Sequence, residues 1–214
     1  MNRRAIIVAN GLINDYDFYK SLFDGKRNFI ICADGAAAHL KKLDIMPHLL
    51  VGDFDSISEE NMDFYKTSGI EIIKFPVMKD MTDTELAVNI AAERGFTEIT
   101  ILGGLGTRAD HSLSNIFLIA AMLKRGIKCT IINEHNEIRA IDDKISLQRK
   151  ENAKVTLLAL TEKVTGVTTK GLFYKLEDAV ITFGSSFGVS NEFVGDKAEI
   201  SIKSGLLLVI VARD

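Results

Sequence analysis

Two carboxylates, Asp53 and Asp55, stand two residues apart in the segment GDFDS at 52–56, directly after the apolar run HLLV. The run is typical of a buried strand, and in extended chain residues i and i+2 point to the same side. Two like charges on one side repel each other unless a cation or a shared proton lies between them. Hard cations such as Mg²⁺ bind carboxylate oxygens and leave room for substrate phosphates. The spacing indicates a metal site, although SISE at 56–59 also matches a capping box that would only start a helix.

The elements that must position these acids alternate between strand and helix over the first two thirds of the chain. Apolar runs predict strands at residues 5–9, 29–33, 49–51, 70–73, 99–102 and 129–132. Helical patterns separate them at residues 15–23, 35–43, 59–68, 84–94 and 112–125. This alternation predicts an α/β domain over residues 1–134, with a mostly parallel sheet and helices on both faces.

The pattern changes near residue 135, beyond which no helical spacing is convincing. Short strand candidates, separated by Gly and Ser turns, recur at residues 137–141, 154–159, 172–174, 179–183, 192–194, 198–202 and 206–211. Short strands with frequent turns are typical of a small sandwich or barrel. We therefore predict an all-β sandwich domain over residues 135–214, without a low-complexity linker before it.

Polar motifs follow four of the predicted parallel strands, and ligands of open α/β sheets bind beyond the carboxyl ends of the strands. The motifs are ADG at 33–35, GDFDS at 52–56, KDMTD at 79–83 and GGLGTRADH at 103–111. One edge of the sheet would then hold six acids and two cations: Asp34, Asp53, Asp55, Asp80, Asp83 and Asp110, with Lys79 and Arg108. So many acids would repel one another without a cation, which strengthens the metal interpretation of Asp53 and Asp55.

Several of these residues also have a purely structural explanation. Asp34 suits a helix N-cap, although the small residues after it leave space for a ligand. Thr82 and Glu85 form a capping box, and Asp83 between them would be stable at the positive end of a helix without any ligand. Asp80 and Lys79 taken alone are ordinary solvated loop residues.

The glycine-rich segment GLGTRA at 104–109 fits the pattern G-x-G-x-x-A between a strand and a helix. It follows the fifth strand rather than the first, and Arg108 could bind phosphate oxygens with two hydrogen bonds. A phosphate loop is therefore favoured over a dinucleotide site, and no G-x-x-x-x-G-K-[ST] segment is present. His39, His48 and His135 show no ligand spacing and are interpreted as structural, and His111 as structural or supporting.

Composition limits the class of protein. The 214 residues carry a net charge of −3, which gives no basic footprint for nucleic acid. No apolar stretch approaches the roughly 20 residues of a membrane span, and the first apolar run is too short for a signal peptide. Cys32 and Cys129 lie in apolar runs and are expected to be buried thiols. These features predict a soluble cytoplasmic protein that binds neither nucleic acid nor membrane.

Taken in order, the motifs resemble those of the thiamine pyrophosphokinase (thiamine diphosphokinase) family. The matching segments are CADGA at 32–36, GDFDSI at 52–57, DMTD at 80–83, GGLGTRADH at 103–111, TTKGLFYKL at 168–176 and VSN at 189–191. The similarity covers nearly the whole chain. It implies a homodimer that transfers a pyrophosphoryl group from ATP to thiamine, giving thiamine diphosphate and AMP with Mg²⁺.

The resemblance also implies roles for individual residues. The metal ligands would be Asp53, Asp55 and Asp83, and the catalytic set would add Arg108 and Asp110. The ATP side would be formed by Asp34, Gly35, Asp80, Thr82, Gly104 and Arg108. The thiamine side, in a cleft between subunits, would be formed by Lys79, Asp110, Tyr174, Ser190 and Asn191. Some relatives carry Gln where this chain has Lys79, and an aromatic expected near Tyr174 is Trp in some relatives.

Two other functions are compatible with the residues themselves. Acid clusters and the pair Asp110–His111 also suit water activation by a metal-dependent phosphohydrolase. A nucleotide-sensing module without catalysis would need only the phosphate loop. AMP together with thiamine diphosphate would indicate the kinase, and phosphate released without thiamine would indicate the hydrolase. ATP binding without turnover would indicate the sensing module.

Overall fold

The structure, a computed structural model, describes residues 3–23, 28–55, 57–78 and 80–214. It divides into two compact units. The first comprises Met1–Leu118 and Arg125–Glu134, and the second comprises Ile119–Lys124 and His135–Asp214.

The first unit is built on six parallel strands, as predicted. They are β1 Arg4–Val8, β2 Phe29–Ala33, β3 Leu49–Gly52, β4 Glu71–Lys74, β5 Glu98–Leu102 and β6 Lys128–Ile132. Their order across the sheet is β6-β5-β1-β2-β3-β4, and every neighbouring pair is parallel. The carboxyl ends of all six strands therefore share one edge.

Helices connect these strands, and side chains fix where several of them begin. They are α1 Tyr16–Ser21, α2 Ala37–Leu43, α3 Glu59–Thr67, α4 Asp83–Glu93 and α5 Ala109–Lys124, with a 3₁₀ turn at Asp34–Ala36. The Thr82 hydroxyl caps α4 by accepting the backbone N–H of Glu85 at 3.2 Å, as the sequence predicts. The cap of α3 is Ser58 rather than the predicted Ser56, which lies outside the described residues.

The helices cover both faces of this sheet. Ile6 and Val8 of β1 belong to a buried cluster that also contains residues of α1, α2 and α3. Ile7 between them is fully buried and points to the opposite face, because side chains alternate along a strand. Helix α4 lies against β1, β2 and β3, and none of its buried residues belongs to that cluster. The sheet is thus buried on two sides, which is why its strands read as continuous apolar runs.

The second unit consists of antiparallel strands around one core. They are β7 Asn136–Ile141, β8 Lys144–Gln148, β9 Lys154–Ala159, β10 Lys163–Lys170, β11 Ala179–Thr182, β12 Gly188–Glu192, β13 Lys197–Ser201 and β14 Leu207–Ala212. One set pairs in the order β12-β9-β14-β7 and the other in the order β11-β10-β13-β8. Val155 and Val209 of the first set share a buried cluster with Val164 and Ile200 of the second. The unit is the predicted β-sandwich.

Several strand predictions in this unit are wrong in detail. The predicted strand at 172–174 reduces to a single bridge between Leu172 and Phe193. The one at 192–194 is replaced by β12, which ends at Glu192. Both cysteines are buried and free, as expected. Within the described ranges, none of the helices has the length and apolar character needed to cross a membrane.

Candidate active site

Three carboxylates from two neighbouring strand ends lie together at the carboxyl edge of the parallel sheet. Asp34 follows β2, and Asp53 and Asp55 follow β3, the strand that pairs with β2. Each residue offers a carboxylate oxygen, and these oxygens lie within 4.8 Å of one another. We call these three residues the acidic cluster. Its donor set, made of oxygen ligands with concentrated negative charge, suits a hard divalent cation.

Local backbone geometry brings the members of the acidic cluster together. Asp34 is only 7% exposed, and its Oδ1 accepts a hydrogen bond from the backbone N–H of Phe54 at 3.0 Å. Gly52 permits this approach, because a Cβ at that position would lie 2.7 Å from the Cβ of Asp34. Asp34 and Phe54 both adopt a left-handed φ, of 40° and 67°. Such strained conformations in non-glycine residues concentrate at functional sites.

The glycine loop, residues 103–108, connects β5 to the N-terminus of α5. Asn115 of α5 is buried, and its Nδ2 donates to the carbonyl of Gly104 at 2.7 Å. The backbone N–H of Gly106 donates to Ser112 Oγ at 3.1 Å. The loop is therefore held by the helix it precedes, at the end where the helix dipole and open N–H groups favour anions.

A second loop, residues 10–12 after β1, packs against the glycine loop. The backbone N–H groups of Gly11 and Leu12 donate to the carbonyls of Gly103 and Leu105, each at 2.8 Å. A Cβ on Gly11 would overlap both of those carbonyl oxygens. We did not single out this 10–12 loop from the sequence. The strand-end rule applied to β1 would have found it, because Asn10 and Gly11 directly follow that strand.

This close approach predicts that Gly11→Ala destabilises the fold. The new methyl group would force apart two backbone segments joined by hydrogen bonds, and overpacking of this kind costs about 1–3 kcal/mol of unfolding free energy. Chemical denaturation measures the loss. Gly195→Ala is the matched control, since a Cβ there meets nothing within 4 Å, and its stability should change by less than about 0.5 kcal/mol. Equal stabilities of the two variants would contradict the packing described for Gly11.

Arg108 and Asp110 form an exposed ion pair at the start of α5. Arg108 donates from Nε to Oδ1 at 3.2 Å and from Nη2 to Oδ2 at 2.6 Å. Asp110 Oδ1 also accepts the backbone N–H of His111 at 2.9 Å. The bond from Arg108, and to a smaller extent that from His111, lowers the pKa of Asp110 to about 2. The carboxylate therefore stays ionised at neutral pH. The pair orients the guanidinium and leaves its remaining N–H groups available for an anion.

One cavity of about 590 Å³ connects these features. Asp34 and Gly35 line it, together with the 10–12 loop, the glycine loop and the start of α4. Of the residues predicted to bind ATP or metal, the lining contains Asp34, Gly35, Thr82, Asp83, Gly104 and Arg108. Asp53 and Asp55 are not in the lining, but their carboxylate oxygens lie within 4.8 Å of that of Asp34, which is. Asp80 is exposed. Asp83 is the first residue of α4, and its Oδ1 is buried.

The predicted thiamine residues of the second unit lie close to one another. Asn191 is 6% exposed, and its side-chain amide makes two hydrogen bonds with the backbone of Tyr174, at 2.7 and 2.9 Å. Tyr174 itself is 63% exposed, with its ring edge-to-face against Phe173 at 5.0 Å. Ser190 has a left-handed φ of 59° and donates its N–H to Thr156 Oγ1 at 3.0 Å. Lys79 lies outside the described residues.

Comparison with family models places both parts of the chain in one family. Residues 20–131 match the model described as “Thiamin pyrophosphokinase, catalytic domain”. Residues 142–207 match the model described as “Thiamin pyrophosphokinase, vitamin B1 binding domain”.

Individual relatives agree with these matches. Thiamine pyrophosphokinase from Bacillus subtilis (strain 168) is 31% identical over 213 residues, covering 97% of this chain and 98% of the relative. The crystal structure of the Bacillus subtilis thiamine pyrophosphokinase superposes with a TM-score of 0.89 at 30% identity, covering 99% of this chain and 100% of the other. The crystal structure of the thiamin pyrophosphokinase from Geobacillus thermodenitrificans superposes with a TM-score of 0.85 at 26% identity, covering 99% of this chain and 98% of the other.

Proposed function

This chain belongs to the thiamine pyrophosphokinase family, a family of enzymes, and we propose that it transfers the terminal diphosphoryl group of ATP to the hydroxyl of thiamine. The products are thiamine diphosphate and AMP. The observation that carries this proposal is one cavity whose wall contains both Asp34 of the acidic cluster and the phosphate-type glycine loop.

The acidic cluster fits the Mg²⁺ that the family implies, because it concentrates three carboxylates within reach of one cation. Asp53 and Asp55 would hold the ion with Asp34, and Asp83, which lines the cavity at the start of α4, is a further proposed ligand. A bound Mg²⁺ neutralises charge on the phosphate oxygens. The backbone N–H of Phe54 donates to Asp34 and holds its carboxylate in place.

The glycine loop and the N-terminus of α5 provide the proposed phosphate site. Backbone N–H groups and the helix dipole favour the triphosphate there. Arg108 stabilises the negative charge that develops as the thiamine oxygen bonds to the β-phosphorus. The bond between that phosphorus and the oxygen bridging to the α-phosphorus breaks, and AMP leaves with that oxygen. The thiamine hydroxyl releases its proton to water in the same transfer, which balances the step.

Asp110 is proposed to orient the thiamine hydroxyl rather than to remove its proton. A carboxylate whose pKa is held near 2 accepts a hydrogen bond well but takes a proton poorly at neutral pH. Alignment of the hydroxyl with the phosphorus is the larger contribution, since such reactions depend mainly on positioning and charge.

The proposed thiamine side includes Tyr174, Ser190 and Asn191, and Lys79 is a further thiamine residue that the family resemblance implies. Asn191 fixes the Tyr174 backbone, and the exposed Tyr174 ring offers an aromatic surface for a thiamine ring. We further propose a homodimer with the thiamine site between subunits, and a cytoplasmic location. Light scattering of the protein in solution tests the dimer.

The reaction is tested by incubating the protein with ATP, Mg²⁺ and thiamine and separating the products. We expect AMP and thiamine diphosphate in equal amounts, and no nucleotide turnover when thiamine is omitted. Phosphate released without thiamine would instead indicate a metal-dependent phosphohydrolase. Saturable ATP binding without turnover would indicate a nucleotide-sensing module.

A further inference from the structure

The 10–12 loop is held from two sides. Its backbone N–H groups bind the glycine loop, as described above. On the other side, the carbonyl of Gly11 lies 3.2 Å from Nε2 of His39, a residue of α2. The loop also carries Asn10 into the cavity wall, where its side chain packs so closely over Gly35 that a Cβ there would meet the Asn10 side-chain carbon at 2.7 Å. A displacement of Gly11 would therefore move two parts of the cavity wall.

The bonding partners of His39 determine its tautomer. A carbonyl oxygen can only accept, so Nε2 must carry the proton that is donated to Gly11. Nδ1 is then an acceptor, and the hydroxyl of Tyr16 lies 2.8 Å from it. Burial lowers the pKa of His39, and Lys42 acts in the same direction, whereas the bond to Gly11 opposes them. The ring is neutral at physiological pH and held at both nitrogens.

We propose that His39 is a positioning residue for the nucleotide, and that its Nε2–H fixes the Gly11 carbonyl so that the 10–12 loop and the glycine loop keep the shape that receives the triphosphate. This inference rests on the proposed function, because it takes ATP as the ligand of the cavity. His39 lies outside the cavity lining, and it therefore acts through Gly11 rather than by touching the nucleotide.

A matched pair of substitutions separates the donated hydrogen bond from the bulk of the ring. In His39→Gln the side-chain amide extends as far as Nε2 and can still donate to Gly11, whereas in His39→Asn it ends near the position of Nδ1. We expect His39→Asn to raise the KM for ATP about fivefold with kcat within about twofold of the wild type, the size of one ordinary hydrogen bond. His39→Gln should restore the KM to within about twofold. Melting temperatures verify that both variants fold.

Equal KM values for the two variants, or a fall in kcat alone, would overturn the role of the donated bond. Calorimetric titration of each protein with ATP and Mg²⁺, without thiamine, gives a second readout. A dissociation constant for ATP that is about fivefold larger in His39→Asn, but not in His39→Gln, supports the inference. If the wild type binds ATP and both variants bind it equally well, the inference fails and the proposed function stands. If the wild type does not bind ATP, the proposed function fails and the inference with it.

Discussion

Replacing one carboxylate of the acidic cluster, Asp53→Asn, is expected to reduce kcat to below about one thousandth of the wild-type value. The substitution removes a full negative charge from a group of oxygens that lie within 4.8 Å of one another. The fold should survive, because Asp53 Oδ1 accepts the N–H of Asp55 at 3.3 Å and an asparagine oxygen can accept the same bond. Steady-state kinetics with a Mg²⁺ titration measure the effect.

The control is Asp63→Asn, which changes an exposed carboxylate on α3 that pairs with Lys66 at 3.8 Å. Its kcat and its Mg²⁺ requirement should match those of the wild type, since exposed pairs of this kind contribute little. Near-normal turnover in Asp53→Asn would contradict the metal assignment of the acidic cluster. So would an unchanged Mg²⁺ concentration for half-maximal activity.

The second large effect is expected for Arg108→Gln, which should lower kcat/KM about a hundredfold. Glutamine keeps hydrogen-bonding capacity but loses the positive charge that we propose acts on the phosphate groups. The exposed Arg108–Asp110 pair contributes little to stability, so the melting temperature should hardly change. Initial rates at several ATP concentrations determine the loss.

Arg94→Gln is a closely matched control. Arg94 also donates two hydrogen bonds to one carboxylate, from Nη1 and Nη2 to the oxygens of Glu71 at 2.8 and 2.6 Å. Glu71 lies at the start of β4 rather than at its carboxyl end. Substitution of Arg94 should leave kcat/KM within about twofold, because Arg94 does not line the cavity of the candidate site. An equal loss in both variants would mean that Arg108 acts through general electrostatics instead of at the phosphates.

Much of the fold is predictable because two physical patterns dominate the sequence. Strands buried on both faces are continuous apolar runs, such as FIICA of β2 and LLVG of β3. The two strands that we did not predict, β8 and β10, lack a long alternation of apolar and polar residues. In β10 the pairing register shifts between Val164 and Val167, where Gly166 adopts a left-handed φ of 69°, so strict alternation is lost. In β8 the alternation rests on only two apolar residues, Ile145 and Leu147, which is a short signal.

The candidate site is predictable in part for a related reason. The rule that ligands bind at carboxyl ends selects Asp34, Asp53 and the glycine loop from the sequence alone. Strand order is not readable from the sequence, and it decides which loops touch. Because β1 lies between β5 and β2, the 10–12 loop meets the glycine loop, and a histidine on α2 reaches Gly11. The spacing of His39 in the chain carries no sign of that contact.

The fate of the β-phosphorus of ATP tests the central claim most directly. The protein is incubated with Mg²⁺, thiamine and ATP that carries radioactive phosphorus only at the β position, and the products are separated. Diphosphoryl transfer predicts that all of the transferred label is found in thiamine diphosphate, together with an equal amount of unlabelled AMP. Label that remains in ADP, or that appears as free phosphate or pyrophosphate without thiamine, would contradict it.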